Sequence, residues 1–97
     1  MLTQRVLLSS AAMLQEIGGE GVILDLASAR YFGLDRVGLR TWQLLQADPS
    51  LAVAARALVA EYDVDPAVLE RDLMTLVGQL VAAGLATIEA GDVASST

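Results

Sequence analysis

Two periodicities divide the chain near residue 35. Before it, apolar and polar positions change over every one or two residues, as along strands. After it, leucines and alanines recur at three- and four-residue spacing, as on helix faces. Met13-Leu14-Gln15-Glu16-Ile17 reads as a first strand and Gly18-Gly19-Glu20-Gly21 as a flexible hairpin turn. Residues 21–26 read as a second strand, in which Val22, Leu24 and Leu26 alternate with Ile23 and Asp25. A small and polar turn then leads to Arg30-Tyr31-Phe32, a third and shortest strand that Gly33 stops.

Asp35 is placed to cap a helix over 37–47, with Val37, Thr41, Leu44 and Leu45 on one face and Trp42 at its margin. Asp48-Pro49 breaks that pattern, because the residue before proline resists helical geometry. Ser50 then caps a second helix running to Tyr62, whose inward face is Leu51, Ala54, Ala55, Leu58 and Tyr62. Asp65-Pro66 is a strong helix start, and a third helix is expected over 67–83, ending at Gly84. Leu69, Leu73, Leu76, Val77, Leu80 and Val81 form its apolar stripe. Residues 85–88 read as a short fourth strand or an extended segment. The predicted class is α+β: a three-stranded antiparallel sheet followed by three helices, resembling a winged helix-turn-helix. The expected organisation is a lead-in over 1–11, one domain over 12–88 and a disordered tail over 89–97.

A chain of 97 residues supports one core, and with 55% hydrophobic but only 4% aromatic residues that core must be made of Leu, Val and Ala. The absence of cysteine removes disulfides, thiolate nucleophiles and sulfur-ligated zinc. Without histidine, the commonest metal ligand and the commonest general base are missing too. No catalytic residue, no metal site and no cofactor is therefore expected. The longest apolar run, 80–86, is far short of the roughly 20 residues of a membrane span, so a cytoplasmic protein without a membrane partner is expected.

Six arginines, no lysine and twelve acidic residues leave a net charge of −6. The arginines are scattered among acids rather than clustered as phosphate binding requires, so nucleic acid is excluded as the expected partner. The rival class, a winged-helix DNA-binding regulator, fails on the same ground, since Arg71 stands between Glu70 and Asp72 on the third helix. Asp63 and Asp65 have the spacing of calcium-loop ligands without the further acids such a loop needs, and serve better as turn and cap. The glycines at 18, 19 and 21 precede neither a helix nor a Lys and form no phosphate loop.

What remains is the sheet itself. A short strand that ends a small sheet leaves a row of backbone N–H and C=O groups unpaired, to be protected or used to capture an extended peptide. Here the sequence resembles the PqqD-like proteins. The resemblance rests on Ala29-Arg30-Tyr31-Phe32-Gly33-Leu34, then Gly38-Leu39-Arg40-Thr41-Trp42-Gln43-Leu44-Leu45, then Glu61-Tyr62-Asp63-Val64 and Ala83-Gly84-Leu85. It spans about residues 12–88 and departs from the family pattern at Ala52-Val53, where an acidic pair is usual, and at Ala29, where glycine is frequent.

The resemblance implies a non-enzymatic domain that binds the leader of a ribosomally made precursor peptide. The leader would add a strand to the sheet edge and lie against the third helix. The implied pathway is of lasso-peptide type, with a leader peptidase and a cyclase as partners, or pyrroloquinoline quinone biosynthesis, with a radical enzyme. The implied peptide-binding residues are Ala29, Arg30, Tyr31 and Phe32 on the strand and Leu69, Asp72, Leu73 and Leu76 on the helix. Leu69 and Asp72 flank the stripe and are the better groove candidates, whereas Leu73 and Leu76 read more as core. The apolar outer face of the second helix, at Ala52 and Val53, would suit homodimerisation or an enzyme's docking surface.

Overall fold

The computed structural model describes residues 4–89. Its elements run β1 (Arg5–Leu8), β2 (Ala12–Ile17), β3 (Glu20–Asp25), β4 (Arg30–Leu34), α1 (Arg36–Ala47), α2 (Leu51–Tyr62), α3 (Pro66–Ala82) and β5 (Ala86–Glu89). The expected three-stranded antiparallel sheet is present in the order β2-β3-β4, and the three helices follow it.

Each boundary has a local cause. Gly18 and Gly19 both adopt positive φ, 61° and 85°, and Ile17 pairs directly with Glu20. The turn is thus a two-residue hairpin loop of the kind whose twist matches its strands, shorter than the expected 18–21. Between β3 and β4 the Asp25 carboxylate organises the loop, accepting from the Ala27 N–H at 3.1 Å and the Ser28 hydroxyl at 2.8 Å. Ala29 closes that loop at φ 58°, a left-handed conformation that costs a residue with a Cβ about 1–2 kcal/mol.

Asp35, Ser50 and Asp65 cap the three helices as expected, accepting from the N–H groups of Gly38, Val53 and Ala67. α3 ends in a Schellman arrangement: Gly84, at φ 76°, donates to the Val81 carbonyl, and Leu85 donates to that of Leu80. Leu80 and Leu85, both buried, are the apolar pair that accompanies such an ending.

Four expectations need correction. β1 lies inside the segment read as a lead-in, and it pairs antiparallel with β5, the fourth strand expected near 85–88. Val6 is fully buried and its N–H donates to the Pro49 carbonyl at 2.8 Å, so the fold begins before residue 12. β4 continues through Gly33 to Leu34 instead of stopping at Phe32. Trp42 is 2% exposed and belongs to the core, not to the margin of α1, while Val37 points out of it. On α3, Leu69, Leu73, Val77 and Leu80 are buried, Leu76 is half-buried and Val81 is exposed. The tail beyond residue 89 lies outside the described residues.

The buried apolar residues form one cluster. Ile23 and Leu34 of the sheet meet Leu39, Trp42 and Leu45 of α1, while α2 and α3 close the other side through Leu51, Leu58, Leu73, Val77 and Leu80. Arg40 of α1 grips Glu61 of α2 with two hydrogen bonds of 2.8 Å. That bidentate contact holds the Glu61 carboxyl below its usual range and raises the Arg40 guanidinium. No helix among the described residues is long and apolar enough to cross a membrane.

Candidate functional site

The hydrogen-bonding phase of the sheet can be worked out from its two ends. In an antiparallel ladder a residue's N–H and C=O point to the same neighbour, and successive residues point to opposite neighbours. The Leu26 N–H donates to Ala11 of the β2 side at 2.9 Å, while the Asp25 carbonyl accepts from Ala29 on the β4 side at 2.8 Å. Along β3, residues 21, 23 and 25 therefore face β4. Their register partners are Leu34, Phe32 and Arg30. These three β4 residues spend their backbone groups inside the sheet, and Tyr31 and Gly33 turn theirs outward. Among the described residues no strand pairs with the outer side of β4, and that edge offers the N–H and C=O of Tyr31 and Gly33.

That edge borders a groove of about 630 Å³. Phe32 and Leu34 form the sheet-side wall, because they share a face with Ile23. Leu69, Asp72, Leu73 and Leu76 form the wall on α3, and Gly38 and Thr41 of α1 lie between. A Cβ on Gly38 would come within 3.2 Å of Leu34 and of the Asp35 carboxylate, so glycine lets α1 approach the base of β4 closely. Thr41 is fully buried, with its hydroxyl donating to the Val37 carbonyl at 2.8 Å. The lining is mostly apolar, and its charged members are Asp35 and Asp72.

The eight residues singled out from the sequence divide into three groups. Phe32, Leu69, Asp72, Leu73 and Leu76 line the groove. Tyr31 does not line it: its ring is 78% exposed on the opposite sheet face, and only its backbone meets the edge. Ala29 sits in the loop and Arg30 pairs with Asp25, both outside the lining. The roles on α3 also differ from expectation, since Leu69 is 6% exposed and carries core packing while Leu76 is the more open residue.

Gly33, Val37, Val64 and Val68 also line the groove and were not singled out. The signal was present for two of them: Val64 and Val68 are apolar residues left over when the core stripes are filled, whereas Val37 had been counted into the stripe of α1, and all three valines are exposed.

The other side of the sheet is less open. On β2, the Ala12 N–H is taken by the Ser9 carbonyl at 3.2 Å, and Glu16 accepts from Gln43 of α1 at 3.3 Å. Among the described residues no cluster of acids could hold a metal ion.

This arrangement defines a sheet edge with an apolar trough beside it. Residues 20–86 match the family model described as Coenzyme PQQ synthesis protein D (PqqD), and the chain belongs to that family. Among solved structures it is similar to one described as TbiB1 in complex with the TbiA(beta) leader peptide. The two are 38% identical with a TM-score of 0.78, over 82% of this chain and 93% of that one. It is also similar to a lasso peptide synthetase B1 complexed with the leader peptide. There the identity is 29% and the TM-score 0.76, over 86% of this chain and 98% of that one. No curated protein matches the sequence.

Proposed function

We propose that this chain captures the leader of a ribosomally made precursor peptide as an added strand on β4 and presents the precursor to modifying enzymes. The observation that carries the proposal is the coincidence of two features on one edge. The outward backbone groups of Tyr31 and Gly33 can pair with an extended peptide, and alternate side chains of that peptide would drop into the groove against α3. The two similar structures, both leader-peptide complexes, support the same reading and favour a pathway of lasso-peptide type.

The chain contributes affinity and placement, not bond chemistry. With neither His nor Cys in the sequence, it acts by effective concentration: a tethered leader keeps the rest of the precursor near the active site of a leader peptidase and of a cyclase. It works in the cytoplasm, where precursor peptides are translated. A net charge of −6 sets it apart from DNA-binding proteins of similar helical arrangement.

The test is a fluorescence anisotropy titration with the TbiA(beta) leader peptide, the ligand of the structure 38% identical to this chain. Saturable binding that is lost when the leader is replaced by a scrambled version of itself is expected. Equal binding of both peptides, or of neither, would count against the proposal.

A further inference from the structure

The groove combines an apolar lining with one carboxylate that has no structural task. Asp35 also lines it, but its carboxylate accepts from the Gly38 N–H at 2.8 Å and caps α1. Among the described residues Asp72 has neither a hydrogen bond nor an ion pair, and no arginine lines the groove. A carboxylate beside apolar surface is stabilised by a cation, and the more so when an occupying peptide displaces water around it. Among the described residues the molecule supplies no such cation to the groove.

The position of Asp72 also fixes where that cation would come from. Val68, Asp72 and Leu76 follow one another at four-residue intervals along the groove side of α3. Four helical residues rise about 6 Å. In an extended peptide, side chains on one face recur about every 6.6 Å. A peptide strand lying along α3 therefore places three successive inward side chains opposite Val68, Asp72 and Leu76.

We infer that Asp72 is a specificity-determining residue that selects leaders with a Lys or Arg flanked, two positions away on each side, by apolar residues. The motif is apolar-x-basic-x-apolar, read from the inward face of the added strand. This rests on the proposal that the leader adds a strand to β4.

Selection from a displayed library of random peptides about 12 residues long, enough to cross the groove, tests it without knowledge of the natural leader. On the native chain, enriched peptides should carry the basic residue in that register. On Asp72→Asn the preference should vanish, and selected peptides should bind about tenfold more weakly than to the native chain. On Asp72→Arg the central position should turn to Asp or Glu. Asp72 is exposed, so both variants should melt as the native chain does, which thermal unfolding checks.

Peptides that compete for the β4 edge without a basic preference would overturn the role of Asp72 and leave strand addition standing. Survival of the preference in Asp72→Asn would do the same. Failure to enrich any peptide whose binding is lost on blocking the β4 edge would overturn strand addition, and the role of Asp72 with it.

Discussion

Replacing Tyr31 by proline should abolish much of the leader affinity and leave the fold in place, whereas the same change one residue later should unfold the sheet. Proline removes one N–H and is accepted in a sheet only where that N–H faces away from the ladder. In the phase of this ladder the Tyr31 N–H points outward, and Phe32 donates within the sheet towards Ile23. Tyr31→Pro therefore costs the β3–β4 ladder no bond, and the ring it removes is 78% exposed. It deletes one peptide hydrogen bond, worth about 0.5–1.5 kcal/mol, which is roughly a twofold to twelvefold loss of affinity. The proline ring also projects into the space the leader backbone would occupy, so the upper end is expected. Phe32→Pro loses a ladder bond, orphans its acceptor at a cost of about 1–3 kcal/mol, and empties part of the groove wall. Anisotropy with the leader and thermal unfolding of both variants are the assays, with Tyr31→Val as a control that keeps the N–H. The reasoning is refuted if Tyr31→Pro binds like the native chain, or if it loses as much stability as Phe32→Pro.

Two further substitutions separate groove from core. Val68→Asp, on a residue 43% exposed in the first turn of α3, should weaken leader binding at least about tenfold with an unchanged melting temperature, since an acid suits a helix N-terminus. Leu69→Arg, one position on, should unfold the chain, because a charge would replace a side chain that is only 6% exposed; circular dichroism distinguishes the two. Ala29→Gly should relieve the left-handed strain at φ 58° and stabilise the chain by about 0.5–1 kcal/mol after glycine's extra entropy, visible as a higher melting temperature.

Features governed by neighbouring residues were the legible ones. The three helix caps, the Asp48-Pro49 break and the Gly84 terminus depend on side chains within a few positions of the backbone they serve, and all appear where the pattern places them. β1 was not legible because Arg5-Val6-Leu7-Leu8 has no alternation and its partner, β5, lies about 80 residues away in sequence. The extension of β4 over Gly33 was hidden for a related reason. Glycine reads as a strand stop, yet here Gly33 sits in register opposite Val22 and leaves its edge open. The helix side of the site was legible as a stripe, but the stripe could not tell Leu69 from Leu76. Which leucine faces the core depends on how α3 is rotated against α2 and β5, and that is a property of the packed molecule. Tyr31 shows the same limit in another form: its backbone lies on the free edge, while its side chain points to the other face.

Amide hydrogen exchange along β4, followed residue by residue by NMR with and without the leader, tests the central claim most directly. In the free chain the amides of Phe32 and Leu34 should be protected by the ladder to β3, and those of Tyr31 and Gly33 should exchange freely. Saturation with leader should protect Tyr31 and Gly33 and leave Phe32 and Leu34 as they were. Leader binding that leaves Tyr31 and Gly33 exchanging as in the free chain would contradict strand addition on this edge.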